Sequence, residues 1–321
     1  MTNAQNTDDV VAKPLRHPWR WVSGVLLFAA VGWLVLTLYS AESVNHDVIM
    51  QYLFDPKILQ GAGLTVLITA ISMFSATILA VMLAVMKLSP NPLLKLVASA
   101  FIGFFRGTPL LLQIVFWGYL GIVFPILKIG IPFTNIVFVE GETSSLIPSL
   151  LAGIIALSLN EAAYAAEIVR AGLLSVDRGQ TEAAKSLGMS GTYTLRRIVL
   201  PQAMRVIIPP MGNETISMLK STSMLQVIAV LELYTRATMI SSQNLAQIEL
   251  LVVAAFWYLV MTTILSIPQS FLEKKYGRGF DSESGGNRWI KTPAAWSSEN
   301  LAKRAAIRKN NRATKAVSTN D

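Results

Sequence analysis

Two groups of polar residues stand out in a chain that is otherwise apolar. The first lies within long hydrophobic runs: Asn160, Glu161, Tyr164 and Glu167 in NEAAYAAEIVRAG (160–172), Arg106, Thr108 and Gln113 in FRGTPLLLQ (105–113), and Glu214 and Lys220 in the run 200–225. Asn160 and Tyr164 are four residues apart and Glu167 follows by three, so one helix face carries all three, with Glu161 about 100° round the axis. Carboxylates in hydrocarbon are costly, which makes these groups functional candidates by default. Glu161, deeper in its run than Glu167, is the stronger candidate. Glu167 is expected to pair with Arg170 at i, i+3. Thr108 and Gln113 offer uncharged hydrogen bonds. Arg106 could anchor a carboxylate or snorkel toward the cytoplasmic side, and its place early in its run favours the latter. Glu214 and Lys220 could pair with each other or join these candidates, and Met204, Met211, Met218 and Met224 are read as packing residues.

The second group is the polar stretch Gly179 to Pro201 (GQTEAAKSLGMSGTYTLRRIVLP), set between apolar runs. Thr181 or Gln180 can cap a short helix whose small apolar face is Ala183, Ala184 and Leu187. Gly188 with Gly191 breaks that helix, because glycine tolerates positive φ. Thr192 to Val199 supplies a second short helix, and Pro201 stops it and opens the next. Arg178, Lys185, Arg196 and Arg197 make the loop basic. They would suit acidic groups on a partner, or equally a face that meets only water and lipid.

Bond-making chemistry is poorly supplied. With no cysteine there is no disulfide, thiolate metal site or thiol nucleophile, and the only two histidines, His17 and His46, lie outside the apolar runs. No G-x-x-x-x-G-K-[ST] loop occurs, so the chain is not expected to hydrolyse ATP alone. A self-sufficient secondary transporter would need its own coupling-ion site, and no inverted repeat is visible to support one.

The elements that must position these residues are membrane spans. Hydrophobic residues make up 53% of the 321 and charged residues only 14%, with mean hydropathy +0.50, far from the balance of a soluble domain. Runs of about 20 apolar residues are long enough to cross a bilayer. They are read at Trp19 to Ser40, with Trp19, Trp21, Trp33 and Tyr39 as belt residues, and at about Gly63 to Met86, Val97 to Phe124, Leu146 to Arg170, Met204 to Leu219 and Leu245 to Ile267. A cleaved signal peptide is the competing reading of the first run, disfavoured by its length and by a poor cleavage pattern at Ser40-Ala41. Pro209-Pro210 and Gly212 predict an irregular fifth span. Leu219 to Leu233 reads as a hairpin or broken helix near the outer side. External loops are expected at 42–60, 125–145 and 234–244.

Lysine and arginine fall almost wholly on one side of this arrangement. Lys13, Arg16, Arg20, Lys87, Lys95, Arg170, Arg178, Lys185, Arg196, Arg197, Arg205 and eleven more after Phe271 are cytoplasmic, against Lys57 and Lys128 clearly outside. The asymmetry accounts for most of the net charge of +8 without nucleic acid.

The spacing Glu182-Ala183-Ala184, three residues, Gly188, nine residues, Ile198, one residue, Leu200-Pro201 resembles the cytoplasmic loop of permease subunits in ATP-binding-cassette importers, with no gap and no substitution at those positions. With 105–113, 160–172, Gly179-Gln180 and 200–225, the similarity extends over about 61–275 to the polar amino acid branch of these permeases, which includes histidine, glutamine, glutamate, arginine and opine importers. The resemblance implies an all-α, polytopic helical membrane protein of the bacterial cytoplasmic membrane. Its five-span permease core (61–275, loop 179–201) would follow a cytoplasmic arm (1–18) and one additional transmembrane helix (19–40), and would precede a basic tail (276–321) expected to be disordered. Six spans then leave both ends cytoplasmic. The resemblance further implies that Glu182, Ala183, Ala184, Leu187, Gly188 and Pro201 couple the chain to a separate ATPase subunit that binds the ATP. It implies a solute-binding protein that delivers a polar amino acid, a second permease subunit, and a solute path through Asn160, Glu161, Tyr164, Thr108 and Gln113. Membrane lipid is the remaining expected partner; no metal, cofactor of its own or nucleic acid is implied.

Overall fold

The computed structural model describes residues 18–40, 44–131 and 136–277; the expected arm and nearly all of the expected tail lie outside them. Helix starts follow one local rule. Asn45 caps α2 (His46–Leu53), Asp55 caps α3 (Pro56–Leu88) and Asn91 caps α4 (Pro92–Gly107), each side chain accepting from backbone N–H groups, and in α3 and α4 a proline occupies the first turn. The caps revise the sequence reading of 42–60, which is largely helical: α3 begins at Pro56, and its 33 residues extend about 50 Å at 1.5 Å per residue. Ahead of them, α1 (Pro18–Tyr39) is apolar along its length and leaves Trp21, Leu27, Phe28 and Trp33 exposed.

The expected third span is two helices, α4 and α5 (Leu110–Gly118), bent by 100° at Thr108-Pro109. Proline cannot donate to the preceding turn and biases its predecessor to extended backbone, and Thr108 takes ψ 142. A short helix α6 (Leu120–Val123) leads into the one departure from an all-α fold among the described residues. Within the expected loop 125–145, β1 (Ile126–Gly130) pairs antiparallel with β2 (Val137–Glu142), with Lys128 opposite Glu140 and ion-paired to it at 2.6 Å.

After α7 (Thr143–Leu146), α8 (Ser149–Leu174) runs through the centre of the bundle. Ala162, Ala163, Ala165 and Ala166 of α8 pack on Ala76 and Ala80 of α3 and on Ala98 of α4. Small side chains let these backbones approach closely, the usual basis of helix packing where lipid is as apolar as the core. The polar loop follows as α9 (Arg178–Ser186) and α10 (Gly191–Thr194), and then α11 (Leu200–Ser221). Pro201 sits in the first turn of α11 and opens it as expected, but the chain is not interrupted before it. The helix passes through one π-turn at Leu195–Val199, where the Leu200 N–H bonds Leu195 O, and this accommodates the missing proline donor.

Pro209-Pro210 also lie inside a continuous helix, contrary to the irregular span expected there; Gln269 Nε2 donates 2.7 Å to Pro209 O and supplies a polar partner at the proline pair. The break comes later, as a 3-10 segment Thr222–Ile228 followed by Ala229 at φ 57, which fits the broken-helix reading. The expected external loop 234–244 is α12 (Leu233–Asn244), whose Leu233, Ala237 and Ile240 pack with Ile58 and Ala62 of α3 and with Leu250, Val253 and Ala254 of α13 (Gln247–Gly277). α2 is strapped to α13 by Trp257 Nε1 donating to Leu53 O at 2.7 Å and by Glu249 accepting from Asn45 N at 2.9 Å. Among the described residues, three helices are long and apolar enough to cross a membrane, or five if each bent pair forms one span. Outward-facing Phe74, Ile78, Val85, Leu259, Ile264 and Ile267 give the bundle an apolar exterior suited to lipid.

Candidate functional site

α8 carries the polar group that the spacing predicts, and the structure divides it between two tasks. Glu161 is 6% exposed, and its Oε1 has no hydrogen-bond partner among the described residues. It lines a cavity of about 240 Å³ between α8 and α11, together with Asn160, Tyr164, Glu214, Ser217 and Ser221, above a floor of Leu110, Leu157 and Met218. The cavity therefore holds two carboxylates, and neither Glu161 nor Glu214 has an ion-pair partner among the described residues. Lys220 is exposed and does not pair with Glu214. Burial disfavours the charge on a carboxylate that has no cation beside it, so a cavity holding two such groups favours a cationic occupant. Glu214, Ser217 and Ser221 recur at intervals of three and four on α11, a one-face signal present in the sequence, of which only Glu214 is singled out above.

Thr108 and Gln113 do not line this cavity. Gln113 Nε2 donates to Thr108 Oγ1 at 2.8 Å, Phe105 O at 3.0 Å and Thr108 O at 3.1 Å, while Asn160 Nδ2 donates to Phe105 O at 3.1 Å and Gln113 Oε1 at 3.2 Å. Carbonyls freed by the α4–α5 bend thus find donors, and the bend is fixed to α8. Arg106 is exposed, and its guanidinium stands over the Tyr164 ring, 5.2 Å from the centroid.

Glu167 pairs with Arg170 as spacing predicts, at 2.8 Å, and also with Lys87 of α3, whose Nζ lies 2.5 Å from Oε1. The second partner is separated by 80 residues, and no local pattern announces it. It ties the ends of α3 and α8 beside the polar loop.

In that loop Asp177, rather than Thr181 or Gln180, caps α9 by accepting from Gly179 N at 2.6 Å. Gly188 has φ +73 with open space around it, so backbone conformation alone calls for glycine there. Glu182, Ala183, Leu187 and Pro201 are exposed, and Leu187 is 81% so, while Ala184 is buried. Arg178, Lys185, Arg196 and Arg197 are exposed without ion pairs among the described residues, and Arg197 lies over the Tyr193 ring at 5.8 Å. The loop is thus a basic platform on which Leu187 is the most exposed of three exposed leucines, with Leu195 and Leu200.

Comparison with known proteins agrees with this architecture. The family model described as binding-protein-dependent transport system inner membrane component matches residues 76–278. The arginine transport system permease protein of Corynebacterium glutamicum is 44% identical over 272 residues, 84% of this chain and 84% of that one. The L-cystine transport system permease protein of Bacillus subtilis is 38% identical over 245 residues, 76% of this chain and 95% of that one. Among solved structures, an amino acid ABC transporter crystallised with histidines is similar with TM-score 0.60 and 34% identity, over 72% of this chain and 99% of that chain.

Proposed function

The chain belongs to the family of binding-protein-dependent transport system inner membrane components, and from that premise we propose that it carries cationic amino acids, with Glu161 meeting their positive side chain. It is a permease subunit of an amino acid ABC importer, a membrane protein rather than an ATPase. The finer topology is six spans with both ends cytoplasmic: α1, α3, the bent pair α4–α5, α8, α11 with the broken segment to α12, and α13. The one-sided distribution of lysine and arginine supports it. In this arrangement the platform 178–201 faces the cytoplasm, where a separate ATPase subunit docks on Glu182, Ala183 and Leu187. A solute-binding protein delivers from the other side, and a second permease subunit completes the pathway.

The single observation that carries the choice of substrate is the cavity bounded by Glu161 and Glu214, with Glu161 Oε1 unsatisfied. A guanidinium or ammonium group would satisfy that oxygen and stabilise the charged form of the carboxylates beside it. Asn160, Ser217 and Ser221 supply neutral hydrogen bonds for the rest of the solute. A volume of about 240 Å³ is below the range of about 300–1,000 Å³ usual for enclosing sites, as suits a site that holds a solute weakly in transit. The arginine in the name of the Corynebacterium relative is a cation of this class. ATP-driven closure of the partner ATPases, passed through the loop, would then alternate which side of the membrane the cavity faces.

The test is uptake into vesicles that hold the chain, its ATPase subunit and its binding protein, with ATP inside and labelled arginine, lysine, glutamine or glutamate outside. ATP-dependent uptake of arginine or lysine, each competing with the other and neither displaced by glutamate, is expected. Preferred uptake of glutamate or glutamine would overturn the cationic reading, and uptake without ATP would overturn the coupling.

A further inference from the structure

The outer face in the proposed topology is poor in cations, and their placement is uneven. Of Lys57, Lys128 and Arg236, Lys128 is neutralised by Glu140 on the hairpin. The other two converge on one pocket of about 180 Å³, lined also by Leu231, Met239, Ile240 and Gln243. Neither has an ion-pair partner among the described residues. The nearest carboxylates in sequence are already engaged: Asp55 Oδ1 accepts from Lys57 N at 2.7 Å, and Glu232 is fully buried beneath the start of α12.

Arg236 is held in place before any partner arrives. Its Nε donates to Leu231 O at 2.9 Å, which leaves both Nη groups without a protein partner among the described residues. Its stem crosses Gly61 of α3, where a Cβ would stand 2.9 Å from Arg236 Cδ and 2.9 Å from Leu233 Cα, so only glycine admits this approach. A guanidinium fixed at one edge with its fork free is preorganised for a carboxylate. Lys57, exposed at the head of α3, adds a second charge from the opposite wall.

We propose that Lys57 and Arg236 form a docking pocket that receives an acidic side chain of the solute-binding protein. The proposal rests on the importer reading and its topology, and adds the surface at which delivery occurs. Charge complementarity selects a carboxylate, and the apolar walls Leu231, Met239 and Ile240 suit a protein surface packed round it. The pocket also sits where docking can be felt. Arg236 lies one turn from Glu232, whose carboxylate joins α12 to Thr65 of α3 and Tyr258 of α13 at the broken segment of the fifth span.

The test uses the full chain with its ATPase subunit in nanodiscs of phosphatidylcholine alone, and in parallel discs containing phosphatidylglycerol. Affinity for the importer's amino-acid-loaded binding protein and the ATP hydrolysis that it stimulates are measured for wild type, Lys57→Gln, Arg236→Gln, Arg236→Glu and, as control, Lys128→Gln. In phosphatidylcholine, Lys57→Gln should weaken binding about threefold and Arg236→Gln about tenfold, with the differences shrinking at about 0.5 M salt. Lys128→Gln should bind as wild type, all variants should still co-purify with the ATPase, and a lysine substituted for one acidic surface residue of the binding protein should rescue Arg236→Glu. Unchanged affinity in Lys57→Gln and Arg236→Gln, or an equal loss in Lys128→Gln, would overturn the docking pocket while leaving the importer reading intact. A loss seen only with phosphatidylglycerol would assign the pocket to a lipid headgroup and overturn it as well. Wild type that does not respond to any loaded binding protein would overturn the importer reading and the pocket together.

Discussion

Replacing Glu232 with alanine should be among the most damaging single changes outside the cavity. Its carboxylate is fully buried and accepts from five donors: Thr235 N at 2.7 Å, Thr235 Oγ1 at 2.8 Å, Tyr258 Oη at 2.8 Å, Tyr234 N at 3.0 Å and Thr65 Oγ1 at 3.5 Å. Alanine removes the cap of α12, worth about 1 kcal/mol, and strands buried hydroxyls beside a new void at about 1–3 kcal/mol more. Counting the five bonds at the roughly 0.6 kcal/mol measured inside membrane proteins also gives about 3 kcal/mol. For a chain of this size that is a fall in Tm of about 4–5 °C, read by heating the detergent-solubilised chain and following its monodisperse fraction. Glu232→Gln keeps an acceptor for the N–H groups of α12 and should lose only about a third as much. If Glu232→Ala melts within about 2 °C of wild type, the carboxylate is not the joint between α3, α12 and α13.

Three further changes probe other parts of the account. Gly188→Val meets open space but places a β-branched residue at φ +73, a strain of about 1–2 kcal/mol; it should cut binding-protein-stimulated ATP hydrolysis severalfold while the chain still enters the membrane, as cell fractionation would record. Gly212→Ala puts a Cβ 1.5 Å from Gln269 Oε1 and should cost about 1–3 kcal/mol in the same thermal assay; adding Gln269→Ala should recover part of that loss, a non-additivity that a double-mutant cycle measures. Gln113→Leu removes the side-chain donor to Phe105 O and Thr108 at the α4–α5 bend and should destabilise the chain by about 1–3 kcal/mol, and trypsin would then cut faster after Arg106.

The parts of the fold legible in the sequence are those set by local rules. Apolar runs of spanning length locate α1, α3, α8 and α13, and Gly188 announces the turn whose positive φ the structure contains. The loop motif leads to the family directly. Elements stabilised by distant contacts were less visible. α12 reads as a loop because Thr235, Ser241 and Ser242 make it polar, yet Leu233, Ala237 and Ile240 bury it against α3 and α13. Glu232 escaped notice because glutamate is not among the residues that favour N-caps, and its partners Thr65 and Tyr258 lie far away in sequence. Pro209-Pro210 suggested a break that Gln269, 60 residues on, compensates. At the site, helix spacing brought Asn160, Glu161 and Tyr164 to one cavity. It could not show that Thr108 and Gln113 are consumed by the bend they sit on, nor that Lys87 reaches Glu167 from another helix.

The most direct test of the central claim is arginine uptake by the reconstituted importer with Glu161→Gln, beside Glu161→Asp. Loss of the charge that meets the solute removes a charge-assisted contact worth about 1.5–3 kcal/mol, so the initial rate at low arginine should fall roughly tenfold to a hundredfold, with part of it restored by aspartate and with the complex still assembled. An initial rate for Glu161→Gln equal to that of wild type would contradict the assignment of this carboxylate to the path of a cationic amino acid.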